Sequence, residues 1–94
     1  MKLVYSGRFK RAFKKQVRRI PQLQSSILQA LELLKDDPFT PSLETHKLHG
    51  QLDGCWACSV AYDCRIIFSF SHDPDAPNEQ VIMLLDLGTH DEVY

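Results

Sequence analysis

The sequence predicts an α+β fold in which an N-terminal strand and a two-helix hairpin pack on one face of a small antiparallel sheet. Three observations carry that prediction. Apolar residues recur at helical spacing twice within residues 8–34, aromatic and branched residues dominate short runs after residue 55, and turn-forming residues separate these runs. At 94 residues the chain is expected to form one domain, residues 1–94, around one core.

Residues 2–5 read as a short strand, and Ser6 as the cap of a first helix. In that helix Phe9, Ala12, Phe13, Val17 and Ile20 form an apolar stripe under a basic outer face. Pro21 separates it from a second helix and is expected at that helix's first position, where a missing N–H costs nothing. Leu23, Ile27, Ala30, Leu31 and Leu34 supply the second stripe, which ends near Asp36-Asp37-Pro38. Residues 39–54 contain a proline and two glycines without sustained periodicity and read as an irregular connection carrying His46 and His49. Residues 55–62 and 65–70 read as strands joined by a hairpin at Asp63-Cys64, residues 72–79 as a polar loop, and Val81–Leu85 as a buried strand that Gly88 terminates. Alternation along the strands assigns Trp56, Cys58, Val60, Tyr62, Ile66, Phe68 and Phe70 to the core. It leaves Cys55, Ala57, Ser59, Ala61, Arg65, Ile67 and Ser69 on a partly open face.

Composition excludes several classes. Forty-four percent of the residues are hydrophobic, yet no apolar run approaches the roughly 18 residues of a membrane span, and the first residues lack the apolar stretch of a secretory signal. A soluble, cytoplasmic protein with no membrane partner is expected. Three cysteines form no disulfide framework, which suits a reducing compartment. Cys55-x-x-Cys58 has the spacing of a dithiol or half a zinc site, but residues three apart on a strand face opposite ways, so neither metal nor redox chemistry is expected.

Charge is segregated. Residues 1–35 hold nine bases and one acid (+8), residues 36–94 two bases and eleven acids (−9), and the whole chain sums to −1. Lys10, Arg11, Lys14, Lys15, Arg18 and Arg19, with Arg8, crowd the first helix and point to a polyanionic partner, either nucleic-acid phosphates or an acidic protein. Beyond the last strand stand His90, an imidazole of the kind that trades protons near neutral pH, and Tyr94. Asp86, Asp91 and Glu92 surround His90 in sequence and would repel an RNA backbone. Arg65 is a strand guanidinium among small residues, suited either to a phosphate or to an ion pair with Asp63 or Asp86.

The ordered set His46-x-Leu48-x-Gly50-x-x-x-Gly54-Cys55-Trp56, then Asp63-x-Arg65-Ile66-Ile67-Phe68, then Gly88-Thr89-His90 with Tyr94, resembles the RelE/ParE superfamily of toxins from type II toxin–antitoxin pairs. It is most similar to the YafQ and RelE/StbE branch, and the resemblance spans nearly the whole chain. It implies a RelE-like fold and a cofactor-free, metal-independent mRNA endoribonuclease that acts in the ribosomal A site and inhibits translation. The implied chemistry is attack of a ribose 2′-OH on the adjacent phosphate to leave a 2′,3′-cyclic phosphate. By the same resemblance His90 is the general acid, His46 the base or a substrate-orienting group, and Asp63 a base or the orienter of a histidine. Arg65 steadies the phosphate and Tyr94 stacks on a base. Its implied partners are the ribosome, mRNA and a cognate antitoxin, with the basic helix as landing site for antitoxin or ribosomal RNA. Ala57 and Ser59 stand where relatives carry basic residues or histidine, and Cys64 where the YafQ branch has tryptophan. Two alternatives remain: a ParE-like gyrase inhibitor, and a weak or silent fold that serves antitoxin binding.

Overall fold

The structure is a computed structural model that describes residues 1–61 and 63–94; Tyr62, assigned above to the core-facing set, lies outside the described residues. The chain runs β1 (Lys2–Tyr5), α1 (Gly7–Arg19), α2 (Leu23–Asp36), β2 (His46–Lys47), β3 (Trp56–Ala61), β4 (Cys64–Asp73), β5 (Ala76–Gly88) and α3 (His90–Val93), with single 3-10 turns at Pro41–Leu43 and Gly50–Leu52. The strands form one sheet in the order β1-β5-β4-β3-β2. Neighbours are antiparallel except at one edge, where β1 runs parallel to β5 with Lys2 opposite Val81 and Tyr5 opposite Leu84. The α1–α2 hairpin is the crossover that a parallel pair requires.

Local chemistry explains the helices. The Ser6 hydroxyl accepts the Phe9 N–H at 3.0 Å, which caps α1 as its sequence predicts. Pro21 does not begin α2. It forces Ile20 out of helical geometry (φ −136°) and sits in the turn, so α2 starts at Leu23 and Ile20 is left exposed rather than in the stripe. Phe9 from α1 and Ile27, Ala30, Leu31 and Leu34 from α2 close over Cys58, Ile66, Phe68, Ile82, Leu84 and Leu87 of the sheet to form the main core. Trp56 packs against this core, edge-on to Phe70 at 5.5 Å and to Phe39 at 5.4 Å, in keeping with its parity.

Three differences from the sequence expectation have physical causes. The polar loop at 72–79 is mostly strand: β4 and β5 meet in a tight turn at Pro74-Asp75, stabilised by the Asp75 N–H donating to Asp73 at 3.0 Å. Pro77 is tolerated because the register jumps there, His72 pairing with Gln80 but Asp73 with Ala76, so its missing N–H breaks no ladder bond. A second irregularity between Ser59 and Ala61 turns Ala61 toward the main core, against simple alternation. The face expected to be partly open is covered at its centre, where Ala57, Ile67 and Val93 form a small second core flanked by Leu48, Cys55 and Leu85.

Candidate functional site

The residues of the His-x-Leu-x-Gly segment build one wall of a groove on that second face. His46 pairs with Ala57 across β2 and β3, and the Leu48 N–H donates to the Cys55 carbonyl at 3.0 Å, which locks the segment to the sheet edge. Gly50 and Gly54, with φ of 72° and 89°, adopt left-handed geometry on either side of the 3-10 turn and fold the chain back sharply. His46 and His49 come from this wall, Leu52 from the turn, and His90 and Tyr94 from the opposite side, around a space of about 410 Å³. His46 Nδ1 lies 3.0 Å from the Glu44 carbonyl, which only accepts, so Nδ1 carries the proton and Nε2 of the neutral ring is left as an acceptor.

The opposite wall is α3, a single turn at a place where the sequence analysis named no element. Its signal was present: Thr89-x-x-Glu92 is a capping box, with the Thr89 hydroxyl accepting the Glu92 N–H at 3.3 Å and Glu92 accepting the Thr89 N–H at 3.0 Å. Gly88 permits the strand end to lie this close, because a Cβ there would stand 3.1 Å from the Glu92 Cβ. The His90 N–H donates to Asp63 Oδ1 at 3.1 Å, and Asp63 is held in left-handed geometry (φ 55°) at the tip of the β3–β4 hairpin. The His90 ring stands nearly perpendicular to Tyr94, with centroids 4.5 Å apart.

Glu92, absent from the sequence-based candidates, is the most heavily bonded side chain of this wall. Besides its cap bond it accepts from Lys15 at 3.0 Å, Gln16 at 3.0 Å and Arg19 at 3.3 Å, all on α1. The Thr89 N–H first, then Lys15, Gln16 and the Thr89 hydroxyl, hold its carboxyl down at about 2 against the opposing effect of burial. Arg65 is half-buried on β4, opposite Ser59 on β3 and Gly88 on β5. Among the described residues its guanidinium donates only long contacts, 3.4 Å each, to the Ala61 and Cys64 carbonyls. Neither proposed acid pairs with it: Asp86 holds Arg8 at 3.1 Å and Asp63 holds the His90 amide. Burial pushes the Tyr94 hydroxyl above its ordinary value, opposed by the nearby Arg65 charge.

The structure therefore brings His46, His90 and Tyr94 to one groove, with Asp63 on the backbone of His90 and Arg65 within electrostatic reach of Tyr94. It separates the six helix cations. Lys15 and Arg19 turn to Glu92, whereas Lys10, Arg11, Lys14 and Arg18 are exposed and make no ion pair among the described residues. At the positions where a basic residue was missing, Ala57 is fully buried and Ser59 half-buried. The cysteines divide between the faces: Cys58 and Cys64 lie in the main core, their thiols pushed up by burial to about 12 and about 11, and Cys55 packs against the second core. Among the described residues no three His, Cys, Asp or Glu side chains converge on a metal-sized site, and no helix is long and apolar enough to cross a membrane.

Comparison with solved structures returns the same architecture. YafQ from E. coli strain BL21(DE3) superposes with a TM-score of 0.78 at 17% identity, covering 99% of this chain and 97% of that one. A YoeB/ParE toxin from Agrobacterium tumefaciens gives 0.75 at 20% identity, covering 96% and 99%. The E. coli DinJ-YafQ complex gives 0.75 at 18% identity, covering 99% and 97%. At these identities the likeness is one of fold. A comparison with curated protein sequences returns no match. The sequence profile of the family described as "Bacterial toxin of type II toxin-antitoxin system, YafQ" matches residues 1–94. The chain thus belongs to the YafQ family of type II toxin–antitoxin toxins.

Proposed function

We propose that this toxin is a ribosome-dependent endoribonuclease that cuts mRNA in the A site and so inhibits translation. The observation that carries the reading is the convergence of His46, from β2, with His90 and Tyr94, from the C-terminal turn, on one groove. Cleavage by a 2′-OH needs a base, an acid and a cation for the charge that builds on phosphorus. His46, with its free Nε2, takes the 2′-OH proton. His90 returns a proton to the leaving 5′-oxygen. Arg65, whose present contacts are long and weak, turns to the phosphate, and Tyr94 stacks on a base of the codon. Asp63 acts through His90, since its carboxylate already caps that residue's amide. Each of these steps uses only side chains.

Lys10, Arg11, Lys14 and Arg18 then meet ribosomal RNA, which makes the cytoplasm the site of action. A cognate antitoxin is the proposed protein partner, as E. coli YafQ has been solved in a toxin-antitoxin complex with DinJ. The test is a reconstituted translation system with cut sites mapped by primer extension. A-site cuts that require ribosomes, carry a cyclic phosphate and vanish in His90→Ala and His46→Ala are expected; intact mRNA in the presence of active ribosomes refutes the reading. One observation favours a second reading, a weak or silent toxin fold whose role is antitoxin binding: β3 brings only Ala57 and Ser59 to this face, neither of which exchanges protons.

A further inference from the structure

We propose that Glu92 is a positioning residue: through Lys15, Gln16 and Arg19 it docks α3 onto α1 and thereby sets the His90–Tyr94 pair over the groove. This rests on the reading of His90 as the acid. Alone, a four-residue helix does not persist, because forming one turn fixes several residues for a single backbone hydrogen bond. Something outside α3 must hold it, and the structure shows three anchors: the buried Val93 side chain, Asp63 on the His90 amide, and Glu92 on α1. Glu92 has the most partners. Its Oε1 accepts both the Thr89 N–H and the Gln16 amide, and its Oε2 both Lys15 and Arg19, so one carboxylate closes the turn and fastens it to the neighbouring helix. Gln16 is 3% exposed, which makes its amide a fixed donor rather than a solvated one.

Two consequences separate this clamp from ordinary surface pairing. Lys15 and Arg19 serve catalysis by holding α3, whereas Lys10 and Lys14, on the same helix, serve contact with polyanion. A loosened α3 also lets the His90 ring leave the Tyr94 ring, and ring displacement of about 1 Å is enough to cost a large factor in rate.

The experiment compares three variants by NMR of the histidine and tyrosine ring protons in the full chain: Glu92→Gln, the double variant Lys15→Ala/Arg19→Ala, and the control Lys10→Ala/Lys14→Ala. In the wild type the 4.5 Å contact displaces the His90 ring signals from the free-imidazole position. The first two variants are expected to return them more than halfway while the core amide spectrum is unchanged, and the control to leave them in place. Unmoved His90 signals in a folded Lys15→Ala/Arg19→Ala protein, whose capping box is intact, overturn the clamp. This readout needs no cleavage, so it decides the clamp even where the ribonuclease reading fails. Where mRNA is cut, the clamp variants are expected to lower the rate at saturating toxin about tenfold or more, with little change in the half-saturating concentration.

Discussion

Replacing Glu92 by glutamine removes a charge while keeping the shape and an oxygen for the cap of α3, so the stability difference from wild type reports what the charge adds to the Thr89 cap bond first and to the contacts with α1 next. The carboxyl falls from an ordinary 4.5 to about 2 in the folded chain. Undamped, that difference would correspond to about 3 kcal/mol. The glutamate side chain keeps 28% of its surface in water, and Lys15 and Arg19 keep 62% and 49%, so screening reduces the figure to about 1–2 kcal/mol. The sign follows from proton uptake. Between about pH 2 and 4.5 the unfolded chain binds the proton and the folded chain does not, so stability rises with pH through that window. The contribution is complete above the unfolded value and lost as pH falls through the folded one. Urea unfolding of both proteins at a series of pH values is the assay. A gap of about 1–2 kcal/mol near neutrality that closes toward pH 2 is expected, seen also as a melting temperature lowered by about 4–8 °C per kcal/mol. A gap of the same size at pH 2 and pH 7 would show that the charge contributes nothing and that Glu92 acts by shape alone.

Three further outcomes are expected. In the native protein Cys55 reacts with a thiol reagent at least about tenfold faster than Cys58 and Cys64, whose thiols are buried and held protonated; three equal rates in Ellman's assay would contradict this placement. Ala57→Lys, placing an amine in a position with no exposure between Ile67 and Val93, costs about 3–5 kcal/mol in urea unfolding. Ser59→His on the same strand stays within about 1 kcal/mol, and a similar loss for both would refute the burial argument. Phe68→Ala empties the centre of the main core and costs about 3–5 kcal/mol, with a loss under 1 kcal/mol counting against Phe68 as a core residue.

Much of the fold was legible because it depends on near-neighbour chemistry. The Ser6 cap, the two apolar stripes and the parity that buries Ile66 and Phe68 follow from periods that the backbone imposes. What escaped depends on pairing between distant residues. Nothing local says that Asp73 should pair with Ala76 while His72 pairs with Gln80, and that irregularity is what lets a proline-bearing stretch be strand. Parallel pairing of β1 with β5 is equally nonlocal. For the groove, His46, His90 and Tyr94 were identified by resemblance, and only the fold puts them side by side. Leu48 was named only as part of a motif and Leu52 not at all, because a leucine in an irregular segment carries no signal of the face it covers. Glu92 was readable as half of a capping box but not as the partner of α1.

The charge segregation of the sequence takes a different meaning in three dimensions. Every Lys or Arg ion pair among the described residues joins the basic N-terminal segment to the acidic C-terminal one: Lys2 with Asp73, Arg8 with Asp86, and Lys15 and Arg19 with Glu92. The isolated pairs Lys2–Asp73 and Arg8–Asp86 stabilise by about 0–1 kcal/mol each, so their main effect is on the electrostatic field rather than on the fold, whereas the two Glu92 pairs fasten α3. Of the three acids that sequence proximity sets against an RNA backbone near His90, Asp86 is compensated by Arg8 and Glu92 by two cations. Asp91 has no Lys or Arg partner among the described residues and stands 3.6 Å from His90 Nδ1. The cations left over, Lys10, Arg11, Lys14 and Arg18, stay on the outer surface of α1. The same helix thus compensates acids of the C-terminal half with some of its charges and leaves the rest exposed, and that division could not be counted from net charge along the chain.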